Sequence, residues 1–136
     1  VIQFRLFHVP EFPTAMVAPR FGRGDPEITP WLLNLAADIA EYGFRQPLII
    51  YGHHWFPGTP QPRWMVKIGY NRLWCAAHLG LLTLPAIVSS TGEVPPGSAT
   101  EIDPSSLQDY FVEGAVWIDP TGFGVSGVRL PQDEFA

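Results

Sequence analysis

Cysteine is nearly absent from this sequence. Its 136 residues hold one, Cys75. That excludes an intrachain disulfide and a cysteine-built zinc site. Charge is scarce too: Asp, Glu, Lys and Arg make up 15% of the chain, against about 25% in an average domain. No apolar run approaches the roughly 18 residues of a membrane-spanning helix, and no basic-then-apolar leader opens the sequence as given. Cations are rarest in the second half. Residues 1–68 carry six Lys/Arg and five Asp/Glu, a balance of +1; residues 69–136 carry two and eight, a balance of −6. A domain that coats DNA through its phosphates would be strongly basic. DNA binding by this chain alone is therefore not expected. A small anionic ligand held by a few placed groups stays open.

Turn formers and apolar residues are abundant. There are 15 Pro and 13 Gly, and hydrophobic residues make up 46% of the chain. A folded core with many turns and irregular stretches is expected. The length fits one domain.

Val1 to Leu6 reads as a strand, after which Pro10, Pro13 and Pro19 should break regular structure. Thr29-Pro30 opens a helix, with Thr as cap and Pro at the first helical position. Trp31, Leu35, Ile39 and Tyr42 form its apolar stripe, widened by Leu32 and Ala36, and Gly43 ends it. Leu48 to Tyr51 is a short buried strand, Gly52 to Pro62 a hairpin-like loop, and Trp64 to Ile68 the returning strand. A second helix runs from about Asn71 to Leu79, with Leu73, Ala76 and Ala77 on its inner face. Leu84 to Val88 is another strand. Such alternation predicts a compact α+β domain with a small mixed sheet and two main helices. From Ser89 to Pro104 the composition turns loop-like. A short helix over Pro104 to Phe111 (capped by Asp103 or Ser105), a strand near Ala115 to Ile118 and an edge at Val128 to Leu130 complete the reading. The boundary falls near residue 90, with 91–136 an acidic extension packed on the same domain.

Two short segments carry chemical information. Gly43-Phe44-Arg45-Gln46-Pro47 joins a helix to a strand, and Gly69-Tyr70-Asn71-Arg72 joins a strand to a helix. A Gly at a strand end allows close backbone approach, and the helix start that follows offers N–H groups and a positive dipole end. An Arg one turn in can fork onto phosphate oxygens. The candidate phosphate-binding residues are thus Gly69, Tyr70, Asn71 and Arg72. Arg45 and Gln46 support them, although Arg45 serves equally well as a cation at the preceding helix's C-terminal end.

The spans 39–50, 66–81 and 84–88 resemble the ParB/sulfiredoxin superfamily. They are more closely similar to the N-terminal domain of ParB-type partition proteins and their phage and plasmid relatives. The shared pattern is a helix, a G-x-x-Q-P turn, a strand, a hairpin, a G-x-x-R box opening an Ala-rich helix, and a Leu-Gly…Pro-x-x-Val strand. The resemblance covers roughly residues 1–90. It implies a nucleotide pocket that takes CTP in ParB proteins and ATP in sulfiredoxins, with Mg²⁺ as a companion. Gly69 and Arg72 fall on the phosphate-loop positions, Gln46 and Pro47 on the other box, and Arg20 and Arg23 in a region of further polar contacts. Tyr70 stands where ParB has Glu and sulfiredoxin its catalytic Cys, so sulfiredoxin chemistry loses its nucleophile. Asn71 replaces the first Arg of the ParB box, and the partition proteins' DNA-binding helices have no counterpart here. The resemblance implies an accessory protein of a phage or other mobile element, at work in the host cytoplasm.

Two other readings belong beside nucleotide binding. One is a degenerate relative serving as a protein-interaction or structural module, with Trp55 and Phe56 as the partner surface. The other is a metal-dependent DNA nuclease, which needs two or three carboxylates converging on an ion. The pair His53-His54 makes no metal site, because neighbours on an extended chain point to opposite faces. Cys75, inside an apolar helix, reads as an inert packed thiol.

Overall fold

The computed structural model describes residues 5–18, 24–52, 64–90, 94–111, 116–118 and 125–127. Eight strands and two α-helices occur among them: β1 (Arg5–Pro13), β2 (Val17–Ala18), α1 (Pro30–Tyr42), β3 (Leu48–Gly52), β4 (Trp64–Ile68), α2 (Tyr70–His78), β5 (Thr83–Ser90), β6 (Thr100–Ile102), β7 (Val116–Ile118) and β8 (Val125–Gly127). Two 3-10 helices, Thr14–Met16 and Pro104–Tyr110, complete the order. The architecture is α+β, with a mixed six-stranded sheet in the order β2-β4-β3-β5-β1-β6. The β3–β5 and β2–β4 pairs are parallel, and the others in that sheet are antiparallel.

The sheet is buried on both faces because β3 and the middle of β5, Leu84 to Val88, are apolar at every position. Leu48 and Ile50 of β3, Ala86 and Val88 of β5, and Phe7 and Val9 of β1 point to the face that α2 covers. Ile49, Tyr51, Ile87 and Leu6 point to the opposite face, where they meet Leu107 and Phe111. That is the period-two alternation of strands, used here with both sides apolar. A register shift between Ile49 and Ile50 where β3 meets β4 explains how Ile68 joins the second face while Val66 and Trp64 stay on the first. α1 stacks on α2 through Leu32, Leu35, Ala36, Ile39 and Cys75.

The start and end of α1 follow the sequence signals. Thr29 Oγ1 accepts from the Leu32 N–H at 3.2 Å, and Gly43 closes the helix at φ 76°. The apolar stripe lies elsewhere than expected. Trp31 is 38% and Tyr42 65% exposed. The buried arc runs through Leu32, Leu35, Ala36 and Ile39 because only that arc meets α2.

Other expectations are corrected as well. β1 continues through Pro10 to Pro13 instead of breaking. Its pairing with β5 shifts register between Val9 and Phe12, so Pro10 falls in an irregularity where no ladder N–H is needed. Ala77 is exposed and not on the inner face of α2. The loop-like stretch after Ser89 contains β6, which pairs with β1 and carries the Arg5–Glu101 ion pair at 2.6 Å. The 3-10 helix is capped by Asp103, whose carboxylate accepts from the backbone N–H and the hydroxyl of Ser105, both at 2.9 Å. Those bonds hold the Asp103 pKa below the ordinary carboxylate value. The tail's second strand lies at Val125–Gly127. The expected edge at 128–130 is outside the described residues, as is most of the hairpin loop, at 53–63.

Cys75 is fully buried, with Sγ 4.0 Å from the Leu32 carbonyl oxygen. Burial pushes its thiol up from 9.0 to about 11, against a smaller opposing effect of Arg72. The thiolate is the reactive species. Native protein at pH 8 is therefore expected to resist a disulfide-exchange reagent and to react fully once unfolded in guanidinium. Fast labelling of the native protein would show that α1 opens from α2. The sign of the linkage is fixed: the unfolded thiol ionises first, so this group's contribution to stability falls as pH rises from about 9 to about 11.

Candidate functional site

Gly69 makes the turn from β4 into α2 in the left-handed region, at φ 108° and ψ 24°. A Cβ there would lie 2.6 Å from Leu48 Cγ and 3.2 Å from Arg72 Nη2. No side chain fits, so α2 starts without a side-chain cap. The positive end of its dipole then falls to the backbone of Tyr70, Asn71 and Arg72. All three residues are buried; Tyr70 packs with the sheet residues, and Arg72 is held against the turn before β3.

Arg72 is fully buried. Its Nη1 donates to the backbone carbonyls of Gln46 at 2.6 Å and Pro47 at 3.1 Å. The two segments singled out in the sequence are thus joined physically: the guanidinium of the second holds the turn of the first. Arginine is the residue for this task, being always charged, planar and rich in donors. Gln46 lies in the same junction, 3% exposed. Both its side-chain Nε2 and Oε1 are buried with no hydrogen-bond partner among the described residues, an arrangement that costs roughly 1–3 kcal/mol per group.

Arg45 serves a different place. Its Nε and Nη2 donate to the Asp38 carboxylate at 3.0 and 2.8 Å, and its guanidinium lies 5.1 Å from the Tyr42 ring centroid. The hydrogen bond to Asp38 raises its pKa further. Of the six candidate residues, the fold brings Gly69, Tyr70, Asn71, Arg72 and Gln46 together and uses Arg45 to close the end of α1. Arg20, Arg23, His53, His54, Trp55 and Phe56 lie outside the described residues.

A cavity of about 300 Å³ opens beside this junction. One wall is α2, through Tyr70, Leu73, Trp74 and Ala77. The facing wall is Thr14 and Val17, with Asp25 from the segment before α1. Tyr70 belongs both to the start of α2 and to the cavity, while its ring packs into the main core. Trp74 is backed by His78, stacked at 4.7 Å between ring centroids. The Thr14 N–H donates to the Leu82 carbonyl at 3.0 Å, which fixes this wall to the turn after α2. Its buried hydroxyl has no hydrogen-bond partner among the described residues.

Thr14 and Asp25 were not legible as site residues in the sequence. They belong to no spaced motif and become neighbours of α2 only through the sheet. Among the described residues, no group of three or more His, Cys, Asp or Glu could hold a metal ion. Magnesium commonly takes one or two carboxylates and completes its shell with substrate phosphates and water. Asp25 is the one carboxylate among the described residues that line the cavity. No described helix is long and apolar enough to cross a membrane.

No protein-family model matches the chain, and no curated protein matches it. Solved structures do. A C-terminally truncated chromosome-partitioning protein ParB from Caulobacter crescentus, complexed with CTP-γ-S, is 22% identical with a TM-score of 0.45. That match covers 62% of this chain and 43% of the ParB chain. Sulfiredoxin from Arabidopsis thaliana is 16% identical with a TM-score of 0.46, over 59% of this chain and 82% of that one. ParB from C. crescentus complexed to the centromeric parS site is 24% identical with a TM-score of 0.46, over 57% and 38%. The match thus spans less than half the length of either ParB chain. These are the two groups of proteins that the sequence motifs resemble.

Proposed function

We propose that this chain binds a nucleotide, with the phosphates at the start of α2 and the remainder of the ligand in the adjoining cavity. One observation carries the reading: Tyr70, the first residue of α2 after the left-handed Gly69, is also a wall of the cavity. An uncapped helix start and a partly apolar recess thereby share one boundary, which suits a molecule with an anionic end and a flat, less polar end. The phosphate-facing groups are the backbone of Gly69 to Arg72, with Gln46 beside them. Arg72 acts by holding the turn, and Arg45 stays with Asp38. CTP and ATP are the first ligands to try, because the sequence motifs resemble those of proteins that take them.

The test is a thermal-shift titration with CTP, ATP, GTP and UTP, with and without Mg²⁺. A ligand that binds only the folded state stabilises it by about 2.7 kcal/mol at a hundred times its dissociation constant. At least one nucleotide is expected to raise the melting temperature. Ala77→Phe, which fills the cavity from an exposed position, should abolish that rise while leaving the unliganded melting temperature nearly unchanged. No shift with any nucleotide overturns the reading.

A second reading has one observation in its favour. The Arg72 guanidinium is enclosed and bonded to the chain's own carbonyls, as in a protein that keeps this junction for architecture and works as an interaction module. That reading expects no nucleotide shift at all, and a binding partner that stabilises the chain.

A further inference from the structure

The cavity has a polarity that nucleotide binding by itself does not require. Asp25 is the one charged side chain among the described residues that line it. Asp25 is exposed, and no described residue bonds to its carboxylate. An ionised carboxylate only accepts hydrogen bonds. It repels an anionic group and attracts a donor. The cavity wall also includes the aromatic Tyr70, whose ring packs into the main core, and the half-buried Trp74, stacked on one side against His78. Thr14 adds a buried hydroxyl with no partner among the described residues, on a backbone pinned to Leu82.

We infer that Asp25 is the specificity-determining residue of the cavity, and that it selects a ligand whose ring end carries an amino group over one with a carbonyl there. The inference rests on the nucleotide reading given above. It also sets the direction of the ligand: amino-bearing ring against Asp25, anionic end against α2. A ring carbonyl facing the same carboxylate sets two acceptors against each other, and one of them loses its water without replacement.

Matched pairs test this, since cytidine and uridine triphosphates differ at the ring by an amino group beside a bare nitrogen against an oxo group beside an N–H, and so do adenosine and inosine triphosphates. A carboxylate that took up the ring N–H instead would favour the oxo members and overturn the inference. Dissociation constants are measured calorimetrically for all four, in EDTA and in Mg²⁺, on the parent and on Asp25→Asn. In at least one pair the parent is expected to bind the amino member about tenfold more tightly or better, the scale of one well-placed contact to a base edge. Asp25→Asn should bring that ratio close to one, chiefly by weakening the amino member. Its melting temperature without ligand should match the parent's, because Asp25 is exposed and no described residue bonds to it. Equal affinities within both pairs on the parent overturn the inference alone, as does a ratio unchanged by Asp25→Asn. A variant that weakens both members equally, and only in Mg²⁺, makes Asp25 a metal ligand and likewise overturns it. Absence of binding by all four overturns the nucleotide reading as well.

Discussion

Arg72→Ala is expected to unfold the protein at a melting temperature about 10 °C or more below that of the parent. The side chain is fully enclosed and bonds to two backbone carbonyls from the turn before β3. Its removal leaves the Gln46 and Pro47 oxygens short of donors and opens a cavity among packed side chains. Hydrogen bonds to a charged group contribute roughly 1.5–3 kcal/mol each, so about 3–5 kcal/mol is at stake. Arg72→Met separates the causes. It restores most of the volume and none of the donors, so it should lose nearly as much as the alanine variant. A methionine variant as stable as the parent would mean that a packed apolar side chain can stand in for the buried cation, as happens at some buried ion pairs. The size of this loss also makes Arg72→Ala a poor probe of ligand binding, which is why a cavity-filling change at Ala77 is the better control.

The second large effect should come from the opposite face of the sheet. Leu107 and Phe111 are 4% and 8% exposed and cover Leu6, Ile49, Tyr51 and Ile87. Truncating each to alanine is expected to cost about 2–3 kcal/mol, the low end for buried Leu and Phe, because a short 3-10 helix can settle into the space. The two side chains are neighbours in one cluster, so the double variant need not equal the sum. Its distinctive result is that it binds the dye ANS at neutral pH, through an apolar sheet face uncovered with the rest of the fold intact. A double variant that loses stability without dye binding would show that the segment is not a separable cover. Acid should weaken the same contact. His8 stacks on Tyr110 with ring centroids 4.4 Å apart, and burial lowers its pKa below 6.5. The unfolded chain takes up that proton first, so stability falls as pH drops below about 6.5. His8→Phe should flatten that part of the pH profile.

Local chemistry made much of the fold legible in the sequence. Thr29-Pro30 and Gly43 bound α1 because caps act through the nearest backbone groups. The apolar runs at 48–51 and 64–68 became strands, and the Gly69 turn became the start of α2. Where neighbours distant in the chain decide the outcome, the same reasoning failed. Trp31 and Tyr42 look as apolar as Leu32 and Ile39, yet only the latter face α2. Pro10 looks like a breaker, yet it falls at a register shift. β6 is three residues of ordinary composition, and it pairs only because β1 leaves an open edge.

By itself the sequence determined the ends of α1, the strand runs that follow it and the positions of Gly69 and Arg72. These depend on backbone propensities and capping within a few residues. Only the tertiary structure decided what those residues do. It enclosed Arg72 against the carbonyls of Gln46 and Pro47 and turned Arg45 away to Asp38. It set Thr14 and Asp25, from the far side of α1 in the chain, across a cavity from Tyr70 and Trp74. An arginine after a glycine turn can meet a phosphate or a carbonyl equally well. Which of the two it meets depends on how closely the other segment packs against it, and that distance is fixed by the sheet and not by any spacing in the chain.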